Sequence, residues 1–202
     1  MIDPVRFTNY QLSDLGLQEY ILFCIAAAGK NATTTARILD NFLRHIMLQT
    51  SASDYFKAIK IIALTQDLAI LMKKFGFGCY QLKSKSFLSI ADSNLNLRTC
   101  TIAELEKIPG IGMKTSRFFV MHTRLECNVA CLDVHILRWM KKRGYKNVPS
   151  QTPTKKRYLE IEKKFLEVCK KLKTNPAVLD LQIWNDERKS FAEEVKPILV
   201  WN

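Results

Sequence analysis

The apolar positions of this chain recur at helical spacing along most of its length. Runs with that period, or with a recognisable helix start, cover Leu17–Ala28, Thr33–Met47, Ser53–Leu64, Thr65–Lys74 and Gln81–Ile90. They continue over Thr101–Lys107, Lys114–Thr123, Val134–Lys142, Lys155–Lys173 and Pro176–Asn185. Asn175-Pro176 reads as a cap followed by proline at the first helical position. Alternating strand runs bounded by turns are scarce. The pattern therefore predicts an all-α chain. Ile21–Ala28 is apolar throughout but far shorter than the ~20 residues of a membrane span, so it reads as a buried helix. No basic, apolar and small-residue series opens the chain, so no secretory leader is expected.

The most informative stretch is Thr101–Ser116. Thr101-Ile-Ala-Glu104 fits a capping box, and Leu105 and Ile108 supply an apolar face. Pro109 stops this short helix, because proline lacks the amide donor and restricts the residue before it. Gly110 and Gly112 permit positive φ and a close backbone approach. A second helix follows from about Met113. Its first amides have no partners within the helix, and with the helix dipole they form an anion site indifferent to base sequence. Lys114 lies in the first turn. The positive end of a dipole is a poor place for an ammonium group, which favours the free amine that a nucleophile needs. By itself this lysine also fits a phosphate contact. Asp133 precedes Val134-His-Ile-Leu-Arg and is a natural N-cap; facing a cleft, its carboxylate could also stabilise a cationic sugar or help deprotonate Lys114.

Charge supports a polyanion partner. There are 31 Lys and Arg against 19 Asp and Glu, a net charge of +12. Between Lys141 and Arg157 lie seven basic residues and no acid, around a loop at Asn147-Val-Pro-Ser-Gln-Thr-Pro. This run fits either a DNA-tracking surface or an ordinary solvated one. The six cysteines (24, 79, 100, 127, 131 and 169) are irregularly spaced. Only Cys127 and Cys131 are close, and no second pair completes a metal site, so they read as reduced packing residues. The three histidines are too scattered for a metal cluster.

The string Ile108-Pro-Gly-Ile-Gly-Met-Lys114-Thr, followed by Leu132-Asp133-Val-His135-Ile, resembles the helix-hairpin-helix DNA glycosylase superfamily with its Gly/Pro-Asp loop. Tyr158-Leu-Glu-Ile-Glu162, Leu179-Asp-Leu-Gln-Ile-Trp184 and Leu22-Phe-Cys-Ile25 are similar to its compact archaeal and bacterial 8-oxoguanine DNA glycosylase/AP lyase family. The resemblance implies one domain over 1–202, with two helical subdomains flanking a DNA-binding cleft: residues 21–128, containing the hairpin, and 1–20 plus 129–202. It implies that Lys114 attacks the sugar C1′ while Asp133 assists. It further implies excision of a damaged base, with 8-oxoguanine the first expectation, and cleavage of the abasic strand. The expected partner is double-stranded DNA with a damaged base or abasic site, bound by a monomer in a prokaryotic cytoplasm. No cofactor, metal or iron–sulfur cluster is expected. Gly110, Gly112 and Thr115 are the expected phosphate contacts. Lys30 and Asn31, in a turn of the kind that fills the gap left by a flipped base, are candidates for the minor groove, a helix break at Gly29 with solvated tips being the other reading. Trp184, His135, Phe23 and Asp180 are candidates for the base pocket; packing is the other reading of each, preferred for Phe23 and, with capping, for His135.

The chain departs from that family after Trp184, where it continues through Asp186-Glu-Arg-Lys to Asn202, so the family's base-reading end does not carry over. Nothing in Lys114 or Asp133 separates purine from pyrimidine lesions. Two other readings stay open: an oxidised- or deaminated-pyrimidine glycosylase, and a non-catalytic helix-hairpin-helix DNA-binding module.

Overall fold

The structure, a computed structural model, describes residues 2–3 and 7–195; residues 196–202, the end of the C-terminal continuation, lie outside them. Ten helices and no strand occur among the described residues. They form two compact units, Met1–Leu125 and Glu126–Asn202.

In the first unit, α1 (Asp14–Ala27) is the central helix, packed on α2 (Ala32–Thr50), α3 (Tyr55–Thr65), α5 (Tyr80–Asp92) and α7 (Met113–Thr123). Every residue from Tyr20 to Ala26 is buried, which explains its unbroken apolar run. The helix begins three residues before the expected Leu17, because the Ser13 hydroxyl accepts the Gly16 amide at 3.1 Å and caps it. The apolar run over 53–74 divides in two. Asp54 caps α3, and Asp67 caps α4 (Leu68–Lys74) by accepting the Ile70 amide at 3.0 Å. Residues 7–9 pack back on this unit: the Phe7 ring meets Phe23 and Phe118, and the Asn9 amide donates to the His122 carbonyl at 2.9 Å.

The second unit holds α8 (Val134–Lys142), α9 (Lys155–Lys171) and α10 (Pro176–Val195). Helix α8 buries Ile136, Leu137, Trp139 and Met140 on one side, and the Trp139 ring meets Phe165 of α9. Helix α10 runs ten residues beyond the expected end at Asn185. Its added stretch is rich in helix-forming residues. Glu187 also receives hydrogen bonds from Arg138 at 2.6 Å and Lys142 at 2.8 Å, which fastens it to α8.

Candidate functional site

The hairpin is built as the sequence implies, and the structure adds what holds it. The capping box of Thr101 and Glu104 starts α6 (Ile102–Leu105). The helix is shorter than expected, because Lys107 and Ile108 donate to carbonyls three residues back and tighten the chain before Pro109. Ile108 and Ile111 are buried and anchor the turn. Gly110 has φ +83°, and a Cβ there would lie 2.3 Å from the Ser86 hydroxyl of α5. Both backbone and space therefore require glycine. Gly112 departs from expectation. It is extended at φ −94° and a Cβ would meet nothing, so neither strain nor internal packing asks for glycine. It caps α7 without a side chain, leaving the first amides of that helix uncapped and open.

One interaction across the hairpin was not legible in the sequence. Glu106 accepts from buried Arg117 at 2.8 Å and from the Ser116 hydroxyl at 3.2 Å, clamping α7 to the segment before the turn. Lys114 and Thr115 are half-buried in the first turn of α7. The Lys114 ammonium has no hydrogen-bond or ion-pair partner among the described residues.

In the second unit, Asp133 caps α8. Its Oδ1 accepts the amides of His135 at 2.8 Å and Ile136 at 2.9 Å, while Oδ2 has no partner among the described residues. The segment leading to it is buckled to α9. The Tyr158 hydroxyl accepts the Leu132 amide and donates to the Ala130 carbonyl, both at 2.8 Å. Glu162 accepts the Ala130 amide at 2.9 Å. Tyr158 and Glu162 are buried. The capping carboxylate is thus held by a fixed strap rather than by a loose loop. His135 is half-buried, with its Nδ1 out of solvent and without a hydrogen-bond partner.

A family model described as 8-oxoguanine DNA glycosylase matches residues 5–174. The chain belongs to the 8-oxoguanine DNA glycosylase family. A relative named 8-oxoguanine DNA glycosylase/AP lyase from Thermoplasma acidophilum is 26% identical over 177 residues, covering 83% of this chain and 78% of that protein. The protein of the same name from Picrophilus torridus is 36% identical over 80 residues, 40% of this chain. The chain spans 37% of the length of that relative and 36% of its Thermotoga maritima counterpart in these matches. In fold, it is similar to the crystal structure of the 8-oxoguanine DNA glycosylase of Thermotoga maritima (TM-score 0.66, 22% identity, 89% of this chain and 84% of that one). It is similar too to that of Methanocaldococcus jannaschii (TM-score 0.65, 20% identity, 89% and 81%).

The other family-implied positions separate. Lys30 and Asn31 are exposed in the turn between α1 and α2. Asn31 Oδ1 is committed to the Thr34 amide at 3.0 Å, leaving the side-chain NH2 free to donate. The Lys30 chain lies over the turn before α5: a Cβ on Gly78 would fall 2.6 Å from Lys30 Cε. Below it, the buried Lys83 ammonium donates to the Ala26 carbonyl at 2.5 Å, tying α5 to the end of α1. Burial lowers the Lys83 pKa, the nearby Cys79 thiol opposing and Lys30 adding to the shift. Lys83 was not singled out from the sequence, since its role rests on a contact 57 residues away.

Two of the base-pocket candidates require correction. Phe23 is 1% exposed within a ring cluster of Phe7 and Tyr20, so it offers no face to a base. Asp180 is 7% exposed and packs inside α10's buried side, where its charge adds to the burial that pushes the Cys169 thiol up to about 11. Trp184 and His135 retain partial exposure. No group of three His, Cys, Asp or Glu side chains suited to a metal occurs among the described residues, and no helix among them is long and apolar enough to cross a membrane.

Proposed function

We propose that the chain acts as a single domain and as a monomer on damaged double-stranded DNA, as a bifunctional glycosylase/AP lyase that excises 8-oxoguanine in the cytoplasm. The observation that supports this best is Lys114: an amine in the first turn of α7, directly after the hairpin, with no acid or carbonyl engaging it among the described residues. In this reading, the uncapped amides of α7, with Gly110, Gly112 and Thr115, hold a phosphate. Lys30 and Asn31 face the widowed partner base, and Trp184 and His135 contribute to the pocket for the flipped one.

The neutral Lys114 amine attacks C1′, and the glycosidic bond breaks with its electron pair leaving on the base, which takes up a proton. The free oxygen of Asp133, held by its strap, stabilises positive charge developing on the sugar. Ring opening gives an imine between Lys114 and C1′. Loss of a C2′ proton then expels the 3′ phosphate and nicks the strand. No cofactor enters this balance.

Borohydride trapping tests the reading. Wild type is expected to form covalent adducts with duplexes carrying an abasic site or 8-oxoguanine. Lys114→Ala forms neither, and Asp133→Asn forms them far more slowly. Adducts on the abasic duplex alone would keep the lyase and move the excised base to an oxidised or deaminated pyrimidine. No adduct with either duplex would leave a helix-hairpin-helix DNA-binding module.

A further inference from the structure

The basic run between α8 and α9 is a folded surface rather than a loose tail. Val148 is buried and anchors the connection. The Lys141 ammonium donates to the Ser150 hydroxyl at 2.7 Å, and Arg157 donates to the Asn147 carbonyl at 2.6 Å. One bond ties the connection to the end of α8 and the other to the start of α9, so the cations of both helix ends share one region. Their local pairings then sort them. Lys142 is neutralised by Glu187, and Arg157 by Glu160. Lys141, Lys146, Lys155 and Lys156 are exposed and meet no acid among the described residues.

One feature sets this patch apart from a solvated charged face. The first turn of α9 carries Lys155, Lys156 and Arg157 and no acid. Cations at the positive end of a helix oppose its dipole, so the placement works against the stability of α9 in isolation. A polyanion lying across the patch reverses the sign of that effect.

We propose that the α8–α9 connection is a DNA surface in addition to the hairpin, in which Lys141, Lys146, Lys155 and Lys156 track phosphates of the bound duplex. The inference rests on the reading of the chain as a DNA enzyme. Its test compares wild type with two triple variants that lose equal charge. K146Q/K155Q/K156Q lies within the patch. K170Q/K171Q/K173Q lies at the far end of α9, about 24 Å away along the helix axis at 1.5 Å per residue. All six lysines are exposed, and far-UV circular dichroism verifies the fold.

Binding is measured against salt on an abasic-site duplex of about three helical turns. The patch variant is expected to flatten the slope of log K against log salt by between about 2 and 3, as loss of three phosphate contacts requires. The control variant changes the slope little. Equal slopes for the two variants, while wild type still binds and forms the trapped adduct, would overturn the patch alone. A wild type without salt-dependent affinity for the duplex would overturn the DNA reading, and the patch with it.

Discussion

Tyr158→Phe isolates one atom of the strap that carries Asp133. Phenylalanine retains the ring, which is fully buried, so packing is unchanged and only the hydroxyl is lost. That hydroxyl serves two backbone groups, the Leu132 amide and the Ala130 carbonyl. Both residues are 0% exposed, so no water replaces it. An unsatisfied buried polar group costs roughly 1–3 kcal/mol. With the carbonyl keeping some freedom to readjust, the pair amounts to about 2–4 kcal/mol. At roughly 2–4 °C per kcal/mol for a chain of this size, the melting temperature falls by ~4–16 °C. The strap ends at Asp133, so the borohydride-trapping rate on an abasic duplex is expected to fall as well, measured well below the new melting temperature and with duplex affinity little changed. A Tyr158→Phe protein within about 0.5 kcal/mol of wild type, the range usual for surface substitutions, would refute the idea that this bond holds the strap.

Three further outcomes follow from the geometry. Gly110→Ala combines positive-φ strain of roughly 1–2 kcal/mol with the overlap on Ser86, and adding Ser86→Ala should recover only the overlap part; urea unfolding of the two proteins checks this. Lys83→Met removes the tie between α5 and the end of α1 and leaves the Ala26 carbonyl unpaired, an expected loss of about 1–3 kcal/mol readable by the same method. Hydrogen bonding from Lys142, against partial burial and with help from Arg138, lowers the Glu187 pKa from 4.5. Its stabilising contribution is therefore complete above that value and disappears as pH falls through the lower folded-state value. Both cations are more than half exposed, so Glu187→Gln should cost only about 0.5–1 kcal/mol at pH 7, and its stability should converge with wild type in acid titration below pH 4.5.

What the sequence disclosed was whatever is encoded locally. Helix α8 begins and ends where Asp133 and the Lys141-Lys142 pair mark it, and the hairpin follows from a capping box, a proline and two glycines within a dozen residues. Short-range signals also misled in places. Ser13 is a good cap set before a glycine-containing first turn, so the apolar period alone started α1 late. The polar residues after Asn185 lack an apolar stripe, yet α10 continues through them with Glu187 docked on α8. Gly112 resembled its neighbour until its backbone angles were known. Phe23 lies in the apolar run Ile21–Ala28 that the sequence already marks as buried, and the rings of Phe7 and Tyr20 close around it. The supports of the site were hidden for one reason. Arg117 to Glu106, Tyr158 to Ala130 and Lys83 to Ala26 join residues 11, 28 and 57 positions apart, and no periodicity reports such pairs.

The two hairpin glycines answer to different judges. Gly110 is fixed by the molecule's own interior, through its backbone angle and the hydroxyl of Ser86. Gly112 faces open space, and at a helix start serine, asparagine or aspartate serves at least as well. A randomised library screened only for folding would retain glycine at 110 and drift at 112. If the proposed phosphate hold is right, the same library screened for action on DNA is expected to keep both. The difference between the two surviving populations would mark, at single-residue resolution, where selection for a stable fold gives way to selection for a bound phosphate.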